Sequence, residues 1–400
     1  MKSHYYAGRI VGLFIFISFL TLHPGGLLCA QTGQRDASDV LGDLFQKTKK
    51  PKPEDTAIIV KPEISGLPAI GYTLTTRLAG TITGNMAFRT DSSAHLSAIT
   101  SSVGYTQNHQ FSFPVESNIW SKNGHFDYIG DIRFMKYPQV TYGLGSNSAI
   151  KNADKMDWNF IRFSEVILRK ISPSFFVGGG YIVDWHYNVS DEGLPDGKIS
   201  DYQVYGRQSS MLSSGVTVNA LYDTRDNSIN PYKGFYSSAT FRYSPTYLGT
   251  NRNWQSLILD VRKYFNFPEG SRNILALWSY DWIILDGHPS YLDLPSTGWD
   301  SYTSTGRGYI QGRFRGKKMV YGESEYRFPL TEDGLLGAVA FVNAETFTGL
   351  HSHALQSVQP AFGSGLRIKL NKKSRTNVDV DYGIGEQGSK GLFVSIGEVF

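Results

Sequence analysis

The chain has 400 residues, of which 14% are aromatic and 18% charged, with 42 glycines and a formal net charge of +4. So small a charge, scattered along the chain, gives no ground for a nucleic-acid partner. The aromatic-rich, glycine-rich and charge-poor profile argues against a helical globule and for alternating strands, which a large barrel takes up as one closed sheet.

Lys2 and Arg9 precede an apolar run from Ile10 to Leu22, which Pro24, Gly25 and Gly26 close before small residues ending at Ala30. Residues 1–30 therefore read as a secretory signal peptide, too short and too punctuated to remain as a membrane helix. The single cysteine, Cys29, follows Leu28, where a lipobox needs a small residue, so cleavage after Ala30 is expected and lipidation is not. The mature chain would begin at Gln31 and carry no disulfide. Residues 31–65 read as a polar periplasmic linker without a folded domain, with one apolar cluster at Val40, Leu41, Leu44 and Phe45 and the run KKPKPED from Lys49 to Asp55.

From residue 66 to 400 no apolar run approaches the length of a spanning helix, and segments alternate instead with period two. Between Arg77 and Arg89, Leu78, Gly80, Ile82, Gly84, Met86 and Phe88 share one face, while Thr81, Thr83 and Asn85 share the other. Leu257, Leu259, Val261 and Phe265 likewise oppose Ser256, Asp260, Arg262 and Tyr264. Soluble β-sandwiches alternate too, and it is the repetition of long, aromatic-ended strands that favours lipid. Sixteen such segments are expected, the first at 66–75 and the last at 391–400. Tight connections at Asp91–Ser93, Ser121–Asn123, Ser172–Pro173 and Leu330–Gly334 contrast with long ones around 138–156, 188–211 and 287–316. That contrast fits an all-β, transmembrane antiparallel barrel with short periplasmic turns and long outer loops.

Two stretches are specific enough to suggest a family. YDTRDNSINPYKGFY, Tyr222 to Tyr236, and GRGYIQGRFRGKKMVYGESEYRFPL, Gly306 to Leu330, resemble the bacterial surface antigen family of sixteen-stranded barrels. Its members include BamA/TamA-type outer-membrane insertases and two-partner secretion transporters. GSGLRI from Gly363, NVDVDYGIG from Asn377 and the ending GLFVSIGEVF extend the resemblance over nearly all of 66–400. The resemblance implies that a long loop folds into the lumen and that the arginine of its tip, here Arg307-Gly308-Tyr309, pairs with Glu325. Glu325 shares inward parity with Met319, Tyr321, Glu323 and Arg327. A second acidic position of the family reads Asn343 here, with Glu345 in place of a glycine, so one charge of the loop lock is missing unless Glu345 supplies it. The plainer reading is an ordinary ion pair that fills the barrel. The resemblance also makes Phe400, with Phe393 and Ile396, an assembly signal on the last strand. Gly391 and Gly397 in that strand suit a weak seam, or simple strand geometry.

Members that insert or secrete proteins carry periplasmic POTRA domains, which residues 31–65 are too short to hold. The expected function is thus an integral barrel of the Gram-negative outer membrane that handles membrane proteins or lipids, with a separate periplasmic accessory protein and a client that the sequence does not identify. The alternative is a passive, low-conductance pore or small-solute transporter. Signs of an enzyme are thin. Tyr105, Gln107, His109 and Ser112 only faintly match an outer-membrane phospholipase; His351 and His353 lack further ligands; and Gly383, Gly385 and Gly388 match a dinucleotide motif without its helix. No catalytic residue, metal or cofactor is expected.

Overall fold

A lipid environment supplies no partner for a free backbone N–H or C=O, so a chain without spanning helices must pair its strands all the way round. The computed structural model describes residues 34–37, 39–40, 62–91, 97–301, 303–372 and 374–400. The expected signal peptide lies outside them.

Among the described residues sixteen strands follow one another. They are β1 Glu63–Thr73, β2 Arg77–Phe88, β3 Ser97–Thr106, β4 Phe111–Trp120, β5 Phe126–Lys136 resuming as Gln139–Thr141, β6 Asp154–Ser172, β7 Phe175–Asp191 and β8 Ser210–Asp223. The second half comprises β9 Gly234–Ser244, β10 Trp254–Asn266, β11 Ile274–Gly287, β12 Lys318–Pro329, β13 Leu336–Phe347, β14 Gln359–Asn371, β15 Thr376–Gly385 and β16 Lys390–Ile396. Each pairs antiparallel with the next. Both parts of β5 pair with β6, and the break falls at Tyr137-Pro138, where proline removes a ladder donor. The expected count of sixteen therefore holds, and the sheet is a nearly closed barrel.

Several expected boundaries shift by a few residues, the first strand from 66–75 to Glu63–Thr73 among them, and two shifts have a visible cause. β7 runs on to Asp191, because a bulge between Asp157 and Asn159 lets Met156 and Asp157 keep pairing with Asp191 and Ser190. The last strand ends at Ile396 and not at residue 400, because Gly397 takes a left-handed φ of 104° that turns the chain off the sheet.

Burial is inverted relative to a soluble protein. In β10, Ser256, Asp260, Arg262 and Tyr264 are buried, whereas on other strands Ile70, Ile82, Val218 and Phe362 are exposed by 75%, 69%, 59% and 58%. The polar face thus fills the interior and the apolar face meets lipid, as the alternation predicts. At the turn between β8 and β9, Asp226 accepts the N–H groups of Tyr232 and Lys233 and pairs with Arg375 at 2.8 Å, while Asn227 accepts from Ile229 and Asn230. Burial opposes ionisation of Asp226, but the Arg375 pair and those N–H groups outweigh it and hold the carboxyl below its ordinary value. The stability it adds is present above the unfolded carboxyl's pKa and is lost as pH falls through the lowered one.

Before β1, Arg35 donates its N–H to Asp333 O, and Lys372 donates its N–H to Asp36 and its Nζ to Asp39. This piece of the expected linker touches two turns at the same end of the barrel as the β8–β9 turn.

The strand alternation predicts sidedness. In a background lacking Cys29, single cysteines at Asp196 and His353 should react with an impermeant maleimide in intact cells, and those at Lys122 and Glu332 only after the envelope is opened. The reverse pattern would mean that the barrel is inserted the other way up.

Candidate functional site

The connection from β11 to β12 packs its tip against the buried faces of four strands. Gly306 and Gly308, with φ of 80° and 109°, flank Arg307. A Cβ on Gly308 would lie 2.9 Å from Ala361 Cβ, and one on Gly383 would lie 2.7 Å from Gly308 N. Glycine on both sides therefore lets the tip backbone rest directly on β15.

Arg307, only 4% exposed, donates through Nη1 to Asp381 at 2.7 Å and through Nη2 to Glu325 at 2.6 Å and also to Glu323. Its guanidinium lies 3.8 Å from the centre of the Phe341 ring. Tyr309 donates to Pro360 O at 2.7 Å, and Ser389 Oγ donates to Gly308 O at 2.7 Å. Arg307, Gly308, Tyr309 and Glu325 thus come together. Asn343 joins them differently, since its side-chain amide donates to Arg307 O at 2.9 Å. Glu345 does not meet the guanidinium; it accepts from Thr297 in the same connection at 3.0 Å.

Two members of the site escape the sequence reading. Glu323 shares the inward parity of Glu325, two residues away. Asp381 stands in NVDVDYGIG, whose alternation puts Asp379 and Asp381 on one face; both are buried. The charge absent at Asn343 is therefore supplied from β12 and β15. Behind the clamp, Arg327 Nε bonds Glu325 at 2.7 Å and Arg367 Nη1 bonds Asp381 at 2.5 Å.

Phe400 is placed away from the expected last strand. It is 3% exposed and stacks on Trp278 with ring centres 5.0 Å apart, so it lies on the polar inner side and not in the lipid-facing row. Gly397 is the bend that takes it there. Gly391 is within β16 and leaves no void: a Cβ on it would lie 2.4 Å from the Leu74 side chain, which occupies the space.

That contact lies on the seam. β1 pairs with β2 and β16 with β15, and among the described residues no ladder joins β1 to β16. The two are nevertheless neighbours, since a Cβ on Gly71 would lie 3.4 Å from Val394 O. Gly71 beside Val394 and Leu74 beside Gly391 is the antiparallel sense that closure of an even barrel requires. Because β16 stops at Ile396, among the described residues no strand pairs with the start of β1 on that side. Among the described residues no cluster of His, Cys, Asp and Glu is arranged to hold a metal ion.

Removing one member of a buried ion pair costs about 3–5 kcal/mol, because the other charge stays desolvated. Arg307→Ala strips three carboxylates of their shared cation, whereas Glu325→Gln leaves Arg307 two anions. Arg307→Ala should therefore lower thermal stability more and expose residues 288–317 to protease more than Glu325→Gln does. Adding Glu325→Gln to Arg307→Ala should recover part of the loss. Additive losses in that cycle would refute a shared clamp.

Residues 98–397 match the Omp85 superfamily domain. No curated relative matches the chain. Among solved structures, it is similar to BamA from Haemophilus ducreyi lacking POTRA domains 1–3, with TM-score 0.55 and 13% identity over 84% of this chain and 70% of that one. It is also similar to CdiB from Acinetobacter baumannii, with TM-score 0.54 and 12% identity over 85% of this chain and 65% of that one. CdiB from Escherichia coli gives TM-score 0.56 and 10% identity over 84% of this chain and 62% of that one. The chain thus spans less than two thirds of either CdiB. Such identities establish the shared barrel, and the domain match over most of the sequence establishes the family: this chain belongs to the Omp85 superfamily, as an outer-membrane β-barrel.

Proposed function

We propose that this barrel is an assembly or translocation factor of a Gram-negative outer membrane, which handles membrane proteins or lipids at the seam between β1 and β16 and works with a separate periplasmic partner. The observation that carries the reading is the seam without a ladder. An unpaired strand edge is a template for another strand, and elsewhere proteins cover or charge such edges. Here the edge belongs to a barrel whose other neighbours are all paired. β16 has 7 residues, against roughly 9–11 for a strand that crosses the hydrocarbon, so the bilayer beside it would thin and insertion there would become easier.

In this reading the β11–β12 connection is a lumenal plug and the Arg307 clamp is its lock. A plugged lumen keeps the membrane tight while the seam works, and no catalytic step is involved. The purified protein in liposomes should speed the insertion of a small client barrel several-fold over protein-free liposomes and show little single-channel conductance. Steady conductance with no acceleration would instead make it a passive pore.

A further inference from the structure

Beyond Gly397, the segment Glu398–Phe400 occupies a pocket that is built by residues with partners of their own. The Phe400 ring stacks on Trp278 at 5.0 Å and lies 6.3 Å from the ring of Tyr264. Trp278 is held in place independently, because its Nε1 donates to Asp260 at 2.9 Å and Asp260 is gripped by Arg262 at 2.6 Å. Arg327 donates to Phe400 O at 2.8 Å, with its guanidinium 5.5 Å from the ring. Two residues earlier, Glu398 accepts from Arg367 and Asn230 at 3.0 Å each and from Asn377 at 2.5 Å. An acidic side chain and an aromatic one, spaced by a single residue, thus enter two separate receptors, one cationic and one aromatic.

We infer that this pocket is a binding site for a peptide with an acidic residue two before an aromatic one, occupied in this structure by the chain's own Glu398–Phe400. The occupant is attached only through β16, the strand that has no ladder on the seam side, and the receptors lie on β10, β11, β12, β14 and β15 and the β8–β9 turn. Arg327 and Arg367 also hold Glu325 and Asp381, the carboxylates of the Arg307 clamp, so the occupant and the loop tip share two cations. Loss of the occupant should loosen the loop, and a second copy of the peptide should restore it. The site rests on these contacts and not on the assembly reading.

The test uses the Glu398→Ala/Phe400→Ala protein in detergent, which vacates both receptors, labelled with fluorotryptophan, the Trp278 resonance being assigned by its loss in Trp278→Phe. A peptide copying residues 395–400 should shift that resonance saturably and return the protease sensitivity of residues 288–317 to the parent level. The same peptide with its phenylalanine replaced by alanine should not, and one with its glutamate replaced by glutamine should bind about tenfold more weakly, as expected for loss of one charge-assisted hydrogen bond. A chain ending at Gly397 gives the same comparison should the double variant misfold. Absence of a shift in a folded variant, or equal binding of all three peptides, would overturn the inference. A protein that binds the peptide but does not speed insertion would keep this site and lose the assembly reading.

Discussion

Everything in this barrel follows from the cost of leaving a backbone hydrogen bond unmade where water is absent. Fifteen of the sixteen strand junctions meet it with antiparallel ladders, a few of them interrupted by a bulge. Among the described residues the sixteenth, between β1 and β16, brings the strands into contact without a ladder, and side-chain packing of Leu74 on Gly391 stands in its place. A junction held in that way opens at far smaller cost than one held by a ladder, which is the physical ground for proposing that clients are handled at the seam and not in the lumen.

The interior obeys a second constraint. Polar side chains face inward because lipid takes the apolar ones, so the barrel encloses many charges that must neutralise one another. Arg307 from the β11–β12 connection and Glu398 from beyond β16 enter this set from two different parts of the chain. Arg327 and Arg367 join them: Arg327 touches Glu325, Arg367 touches Asp381 and Glu325, and both touch the Glu398–Phe400 segment. Loop and seam strand are thereby linked through one ionic network. A movement of β16 that withdrew Glu398 would leave Arg367 to Asp381, Asp379 and Glu325 and change the field at the loop tip.

The period-two pattern made the architecture legible in the sequence, because a lipid-facing row and a lumenal row cannot be exchanged without reversing every strand. Parity alone puts Ser256, Asp260, Arg262 and Tyr264 on the inner face, and all four are buried. Glu325 was legible because motif and parity agreed on it. Asp381 was not, since its pairing with Arg307 depends on the barrel's curvature bringing β15 opposite β12. The end of β16 was legible only in part: Phe400 keeps the outward parity of Leu392 and Ile396, but Glu398 at that parity breaks the apolar row, and the left-handed φ of Gly397 turns the chain there. That one backbone angle moves Phe400 from the lipid-facing row, where alternation puts it, to the Trp278 stack.

The central claim is that the β1–β16 junction must part for the protein to act, and a reversible tether across it tests this most directly. Cysteines replacing Ile70 and Val394, which share outward parity on adjoining stretches of the two seam strands, can be oxidised in the assembled barrel and the protein then assayed for client insertion in liposomes. The account predicts that the oxidised protein loses the acceleration and that reduction restores it, with barrel stability unchanged or raised. Full acceleration by a completely oxidised protein would contradict it.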